Sequence, residues 1–451
     1  MPIDSSEAYD LSRLQDRAAQ LVEAAQRAGA DASDVMVAAS RSSGVEVRNG
    51  EVEETQSAEN NAFALRVFMG QKVASVSANA AGDADELAAR AVAMARVSPD
   101  DPFSGLAQQE HLAKSFPELD LFDGAAVTFD QMQSLALACE EAALAVPGVT
   151  KSSGASFGRS LGGSVLATSD GFIGSYRGSR YSLSVSAVAG DGEAMQTDYD
   201  FDSRRHFGDL RNAASIGTLA GERAAKSLNP RQVETQQADI VFEPRMARSL
   251  LGHLAGATNG SAIVRKTSFL AGQLNQAIFQ DHVNIVDQPD IVRGAGSRPF
   301  DAEGVAPSAL NLVENGVLNH WLLDSASARE LELATNGRAN RSGSRTVPGT
   351  TNLTLLPGPF ETASMIAGVE RGIYVTQLIG QGVSLVSGDY SRGVSGFWIE
   401  NGELTFPVSE VTIAGNLTQM FAALEVGNDL EYTGSVNAPT VVVRGMTIAG
   451  T

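Results

Sequence analysis

The chain has 451 residues, 43% of them apolar, which is too long for one ordinary core and too apolar for wholesale disorder. Its 53 acidic and 33 basic residues leave a formal charge of −20, a balance that repels phosphate backbones and argues against a nucleic-acid partner. A single cysteine excludes an internal disulfide, the charged opening "MPIDSSEAYDLSRL" is unlike a signal peptide, and no apolar run approaches the roughly 18 residues of a membrane span. A cytoplasmic protein without a membrane anchor is the expectation.

Residues 11–28 place Leu11, Leu14, Ala18, Leu21, Val22 and Ala25 on one face, which predicts an amphipathic helix that stops at Gly29. Three short alternating runs follow, "DVMVAAS", "GVEVRNGEVEE" and "NAFALRVFMGQKVASVSAN", with "RNGE" and "MGQK" as hairpin turns. "DADELAARAVAMARVS" predicts a helix with an acidic first turn. Residues 99–127 contain Pro and Asp with little periodicity and read as a long surface connection. "FDQMQSLALACEEAALAV" predicts a third helix that buries the Cys139 thiol as a structural group. From Thr150 to about Asp200, small residues alternate with Val, Phe, Ile and Tyr between Gly turns, and "NAASIGTLAGERAAKSL" closes this half as a helix.

"NPRQVETQQADIVFEP" reads as a linker entering a new strand. The domains are expected at 1–228 and 229–451, with a subdivision of the first near 100–128. In the second half, helices are predicted over 244–259 and in "DSASARELEL". The remainder is strand and turn, and the Asn-Gly pairs of "VENGVL" and "IENGEL" signal hairpins. No fixed-period repeat is visible. The expected class is α+β: an N-terminal part of antiparallel strands with flanking helices, and a C-terminal β-rich domain with a buried helix.

The search for chemistry returns little. The histidines are His111, His206, His253, His282 and His320, and none lies in HExxH or pairs at i+4 or i+5 with a second His, Glu or Asp in a helical run. Beyond His253, the helical neighbours are Gly256, Ala257 and Thr258. In "DHVNIVD", Asp281 and His282 are adjacent in an expected strand and point apart; His320 beside Trp321 reads as strand packing. The glycine-rich "GQGVSLVSGDYSRG" lacks the ending of a phosphate-binding loop. Asp389, Tyr390 and Arg392 lie in an expected turn that either serves turn chemistry or faces a cleft or a partner. Arg338, Arg341 and Arg345 in "RANRSGSRTVPGTTNL" read as a flexible basic loop able to order against an acidic partner.

Several long phrases do carry a resemblance: "SLLGHLAGATNGSAIVRKTSFL", "GSRPFDAEGV", "WLLDSASARELELATNGRA", "GIYVTQLIGQGVSLVSGDYSRGVSGFWIENGEL" and "FPVSEVTIAGNL". They are similar to the TldD/PmbA family, in its PmbA (TldE) branch, densely from about residue 236 to 451. The TldD-like branch resembles a zinc peptidase with HExxxH on a helix and a later cysteine ligand. Laid on "LLGHLAGA", the first ligand position falls on Gly252, the glutamate on His253 and the second ligand on Ala257, while Cys139 lies in the wrong half to be the late cysteine. The resemblance therefore implies a subunit with neither catalytic residues nor metal, paired with a TldD-like zinc subunit around a cleft for extended or unfolded peptides, in proteolysis or peptide maturation. The family's name of modulator of DNA gyrase implies no gyrase contact. Expected cleft residues are His253, Gln381, Asp389, Tyr390 and Arg392, with strand addition along "GIYVTQLIGQGV" and close approach over Gly252, Gly256 and Gly260. A homodimeric peptide-binding protein without a protease role is the alternative, and a metal held by His282 with distant carboxylates is a further one.

Overall fold

The computed structural model describes residues 10–79, 82–343 and 345–451. Helix α1 (Leu11–Arg27) opens behind Asp10, whose carboxylate accepts from Ser12 N at 2.9 Å, and stops where Gly29 takes a φ of +94°. Strands β1 (Ala32–Arg48), β2 (Glu51–Met69) and β3 (Lys72–Asn79) then meander antiparallel, and α2 (Ala84–Val97) returns across them. At the first hairpin, Asn49 and Gly50 have φ values of 54° and 78°, the pair of positive angles that a tight two-residue turn between twisted strands requires.

The same order recurs in α3 (Phe129–Leu144), β4 (Val149–Thr168), β5 (Ile173–Ala189), β6 (Gln196–Arg204) and α4 (Ala213–Lys226). Because β1 pairs antiparallel with β4, the two units share one sheet in the order β3-β2-β1-β4-β5-β6. A helix–three strands–helix unit is thus used twice, although no period is visible in the sequence. Each unit has its own core: Leu21, Val35 and Leu65 beneath α1 and α2, and Met132, Phe157 and Ile216 beneath α3 and α4. The last two helices meet so closely that a Cβ on Gly217 would lie 2.0 Å from the Cys139 carbonyl. Burial pushes the Cys139 thiol up to about 12, as a structural cysteine requires.

The expected short runs prove to be fewer, longer strands. "DVMVAAS" and "GVEVR" are one strand because the polar Ser40–Gly44 stretch is held by β2 on one side and β4 on the other. Residues 99–127 are a seam between the halves and not a surface connection: Leu119 and Leu121 are buried, and Ala113 N donates to Gly304 O at 2.9 Å.

The second half comprises β7 (Gln236–Phe242), α5 (Pro244–Ala257), α6 (Gly260–Val264), β8 (Ile285–Asp287), β9 (Leu310–Glu314), β10 (Val317–Leu318), α7 (Ser325–Glu330), β11 (Ala339–Ser342), β12 (Arg345–Pro348), β13 (Leu353–Leu355), α8 (Thr362–Ala367), β14 (Arg371–Val383), β15 (Asp389–Glu400), β16 (Glu403–Asn416), α9 (Leu417–Ala422), β17 (Leu424–Val426), β18 (Val436–Asn437) and β19 (Val441–Ala449). Strands β16-β15-β14-β7-β19 close into a barrel through a pairing of Thr412–Ala414 with Thr447–Ala449. A second sheet runs β10-β9-β8-β13-β18. Helix α5 is buried in the core they share, where Leu250, Leu251 and Leu254 pack with Phe279, Leu355 and Phe421; each leucine contributes about 2 kcal/mol by leaving water. The α+β class, with a buried helix in a β-rich second half, is as the sequence leads one to expect.

In the basic stretch, Ala339–Ser342 pairs antiparallel with Arg345–Pro348, so these residues are strands and not a flexible loop. Arg338 is fully buried and pairs with the equally buried Asp287 at 2.5 Å. Arg341 reaches across to Asp34 of β1, which Arg66 of β2 also holds. Burial pushes the Asp34 carboxyl up, but Arg341 and Arg66 outweigh it and hold the group below the usual range. These arginines order against carboxylates of their own chain. Beside them, Phe300 packs edge-on against Phe172 and Tyr176, each at 5.5 Å, and so joins the halves with apolar contact.

Candidate functional site

Helix α5 presents its leucines to the core and Gly252, His253 and Gly256 on other faces. It ends at Ala257, two residues short of expectation, because the Thr258 hydroxyl turns back to Leu254 O (2.9 Å) and Asn259 caps the next helix at Ser261 N (3.0 Å). His253 is half-buried and meets the Tyr390 ring edge-on, with centroids 5.9 Å apart. Burial, and then the nearby Arg392 guanidinium, holds the imidazole below its ordinary range, so it is neutral at physiological pH. Burial pushes the Tyr390 phenol up, which keeps it protonated. His253 Nε2 and Tyr390 Oη are both buried and have no hydrogen-bond partner among the described residues.

His253, Tyr390 and Arg392 thus come together, and the other expected cleft residues do not. Asp389, Tyr390 and Arg392 begin β15; the turn before them is Ser384–Gly388. Because neighbouring strand residues point to opposite faces, exposed Asp389 faces away from buried Tyr390 and accepts from Ser387 Oγ at 2.6 Å. Gln381 is exposed in a bulge of β14 between Ile379 and Gly382. That strand pairs with β7 only over Gly372–Val375, so its stretch Gln377–Val383 keeps one edge with no strand partner among the described residues. Exposed Ile379 lies on this edge, inside the stretch expected for strand addition, and exposed Val386, in the turn after it, escaped the reading of the sequence.

The small-residue face is mostly filled by the chain itself. A Cβ on Gly256 would lie 2.7 Å from Leu385 Cδ1, and one on Gly260 would lie 2.6 Å from Ser327 Oγ. Gly252 alone of the three is open, with nothing within 4 Å. Ala257, by contrast, is fully buried.

A metal does not fit here. Gly252 and Ala257 carry no donor atoms, and one imidazole beside a protonated phenol is not a zinc set. Among the described residues no group of three or more His, Cys, Asp or Glu could hold a metal ion. His282 lies in a turn before β8 and not in a strand; its ring packs on Phe360 at 5.3 Å and its one nearby carboxylate is the fully exposed Asp281 at 4.0 Å. His320 is exposed and outside the strands, beside buried Trp321. No described helix is long and apolar enough to cross a membrane.

Three family models match the chain in succession: PmbA/TldA metallopeptidase domain 1 over residues 33–95, the central domain over 122–228 and the C-terminal domain over 235–450. Metalloprotease PmbA of Escherichia coli O157:H7 is 35% identical and aligns over 93% of this chain and 92% of its own length. The PmbA homolog of Haemophilus influenzae is 34% identical over 95% of this chain and 94% of its own. Among solved structures, a candidate modulator of DNA gyrase from Bacteroides thetaiotaomicron superposes with a TM-score of 0.89 at 29% identity, covering 100% of both chains. TldE from Thermococcus kodakarensis shares the fold, with a TM-score of 0.84 at 18% identity over 96% of this chain and 100% of its own.

Proposed function

The chain belongs to the PmbA/TldD metallopeptidase family, and we propose that within it this is a non-catalytic subunit that pairs with a TldD-like zinc peptidase in the cytoplasm and shapes a cleft for extended peptides. One observation carries the reading. On the helix where the resemblance puts the peptidase chemistry, Gly252 and Ala257 offer no donor atom, and His253 stands in the glutamate's place as a neutral imidazole against Tyr390. A zinc hydrolase needs ligands for the metal and a carboxylate to take a proton from the bound water. The zinc and the water chemistry therefore belong to the partner.

This chain's residues bind and position. The unpaired edge of Gln377–Val383 offers backbone N–H and C=O groups to an extended peptide, and Ile379 and Val386 offer apolar surface for its side chains. Gly252, open on the exposed side of α5, leaves room for a partner's backbone. The proposed domains are 1–228 and 229–451.

The test is co-expression with a TldD-like partner. A stable complex with zinc-dependent peptide cleavage is expected, and no cleavage by the lone chain. Robust, chelator-sensitive cleavage by the lone chain overturns the non-catalytic reading. A lone chain that forms a homodimer, fails to associate with the partner and still binds peptide points to a binding protein outside proteolysis.

A further inference from the structure

An open cleft of about 850 Å³ lies where the first sheet meets the second half, and it is lined by five arginines: Arg180, Arg204, Arg205, Arg248 and Arg293. In a chain of net charge −20 this is a local reversal of sign. The one carboxylate in the lining, Asp209, is already held by Arg293 at 3.0 Å, and Arg204 is held by Asp202 at 3.0 Å. The other three have no carboxylate partner among the described residues. Arg180 donates to Ser203 Oγ at 2.8 Å, Arg205 to the carbonyls of Ser179 and Ala295 at 3.3 and 2.7 Å, and Arg248 to Thr433 Oγ1 at 3.2 Å.

The guanidiniums are therefore held by neutral groups, with no carboxylate paired to them among the described residues. Burial disfavours the charged form of Arg205 and Arg248, a cost that an arriving anion would relieve. Their anchors differ: Arg180 is tied to the first sheet, Arg205 to that sheet at Ser179 and to the second half at Ala295, and Arg248 to the segment before the edge strand β18, which also lines the cleft. Separated, pre-oriented cations suit several carboxylates along one chain better than a single compact anion.

We infer that this cleft binds an extended peptide through its carboxylates, which gives the complex a preference for acidic segments. The inference rests on the peptide-cleft reading above and adds a substrate class to it. Arg248 stands five residues before His253 on α5, about 7.5 Å along the helix axis, so one helix serves both places.

Fluorescence anisotropy on the full chain and on its complex with the partner tests this. The probes are labelled Ser/Gly peptides carrying Asp and Glu, the same peptide amidated at its C-terminus, neutral and Lys-containing versions, and a single-stranded oligonucleotide. The acidic peptide is expected to bind at least about tenfold tighter than the Lys peptide, with an affinity that falls as salt rises. The preference should vanish in an R180Q/R248Q double variant whose unfolding midpoint is unchanged, and weaken in R180E, which alters only an exposed side chain. Preference retained on amidation assigns the carboxylates to side chains; preference lost assigns it to the peptide terminus. Equal binding of acidic, neutral and basic peptides, an unaltered preference in the variants, or tighter binding of the oligonucleotide overturns the inference while the peptide cleft survives. Failure of every peptide to bind either chain or complex defeats both.

Discussion

In the first half, β1, β2, β4 and β5 run for 17, 19, 20 and 17 residues and pair with their neighbours over most of that length. In the second, β8, β13 and β17 have 3 residues each and β10 and β18 have 2. Long strands hold their register by many backbone bonds. Short ones need side chains to hold them. Asp287, at the end of β8, accepts from Arg338 Nε (2.5 Å), Thr351 N (2.7 Å) and Thr351 Oγ1 (2.9 Å), so its side chain ties the segments around Arg338 and Thr351 to the end of this short strand. The regular half supplies a platform; the irregular half gathers residues distant in sequence around α5.

The largest expected effect would expose this difference. Asp287→Ala strands the guanidinium of Arg338 in a dry core and should destabilise the second half by about 3–5 kcal/mol in chemical denaturation. In the first half, Asp85→Ala removes an exposed pair with Arg27 and should leave the unfolding midpoint in place. Equal losses would mean that ion pairs carry both halves alike. The same substitution on two helices should have opposite signs. Gly217→Ala gains about 1 kcal/mol of helix propensity, but its methyl collides with the Cys139 carbonyl, and overpacking of about 3 kcal/mol wins. Gly252→Ala meets open space and should raise stability by about 0.5–1 kcal/mol, while weakening association with the TldD-like partner measured by size exclusion. Stabilisation with unaltered association would remove the partner-approach role of Gly252. The smallest effect concerns His253. Its folded-state titration should fall below the ordinary 6.5 by NMR, so the unfolded chain takes up the proton first and stability declines as pH drops below about 6.5. Replacing Arg392 with Gln should return part of that shift; no change would mean burial acts alone.

Much of the platform was legible because its signals are local. The stripe of Leu14, Ala18 and Leu21 marks α1, and the Asn-Gly pairs at 49–50, 315–316 and 401–402 adopt the positive φ angles their turns demand. The lengths of β1 and β4 were not legible, since Ser40–Gly44 and Gly158–Gly163 look like breaks until a neighbour pairs with them on each side. Arg338 was read as solvated because an arginine alone belongs in water; its burial depends on Asp287, in another strand. That Gly252 and Ala257 bring no side-chain donor to α5 was legible in the sequence itself. The contact of Tyr390 with His253, and of Leu385 with Gly256, was not, because no spacing rule links residues so far apart in the chain.

The barrel's closure has a consequence for biosynthesis. Strand β7 lies between β14 and β19, and β16 also needs β19 to complete the ring. As the ribosome delivers the chain, the N-terminal sheet has all six strands before β7 emerges. The barrel must wait with two open flanks until some two hundred further residues arrive. Through that interval Ile240 and Phe242 have only part of their core around them, which makes the nascent second half the stage at which this protein is most exposed to aggregation and most dependent on chaperones.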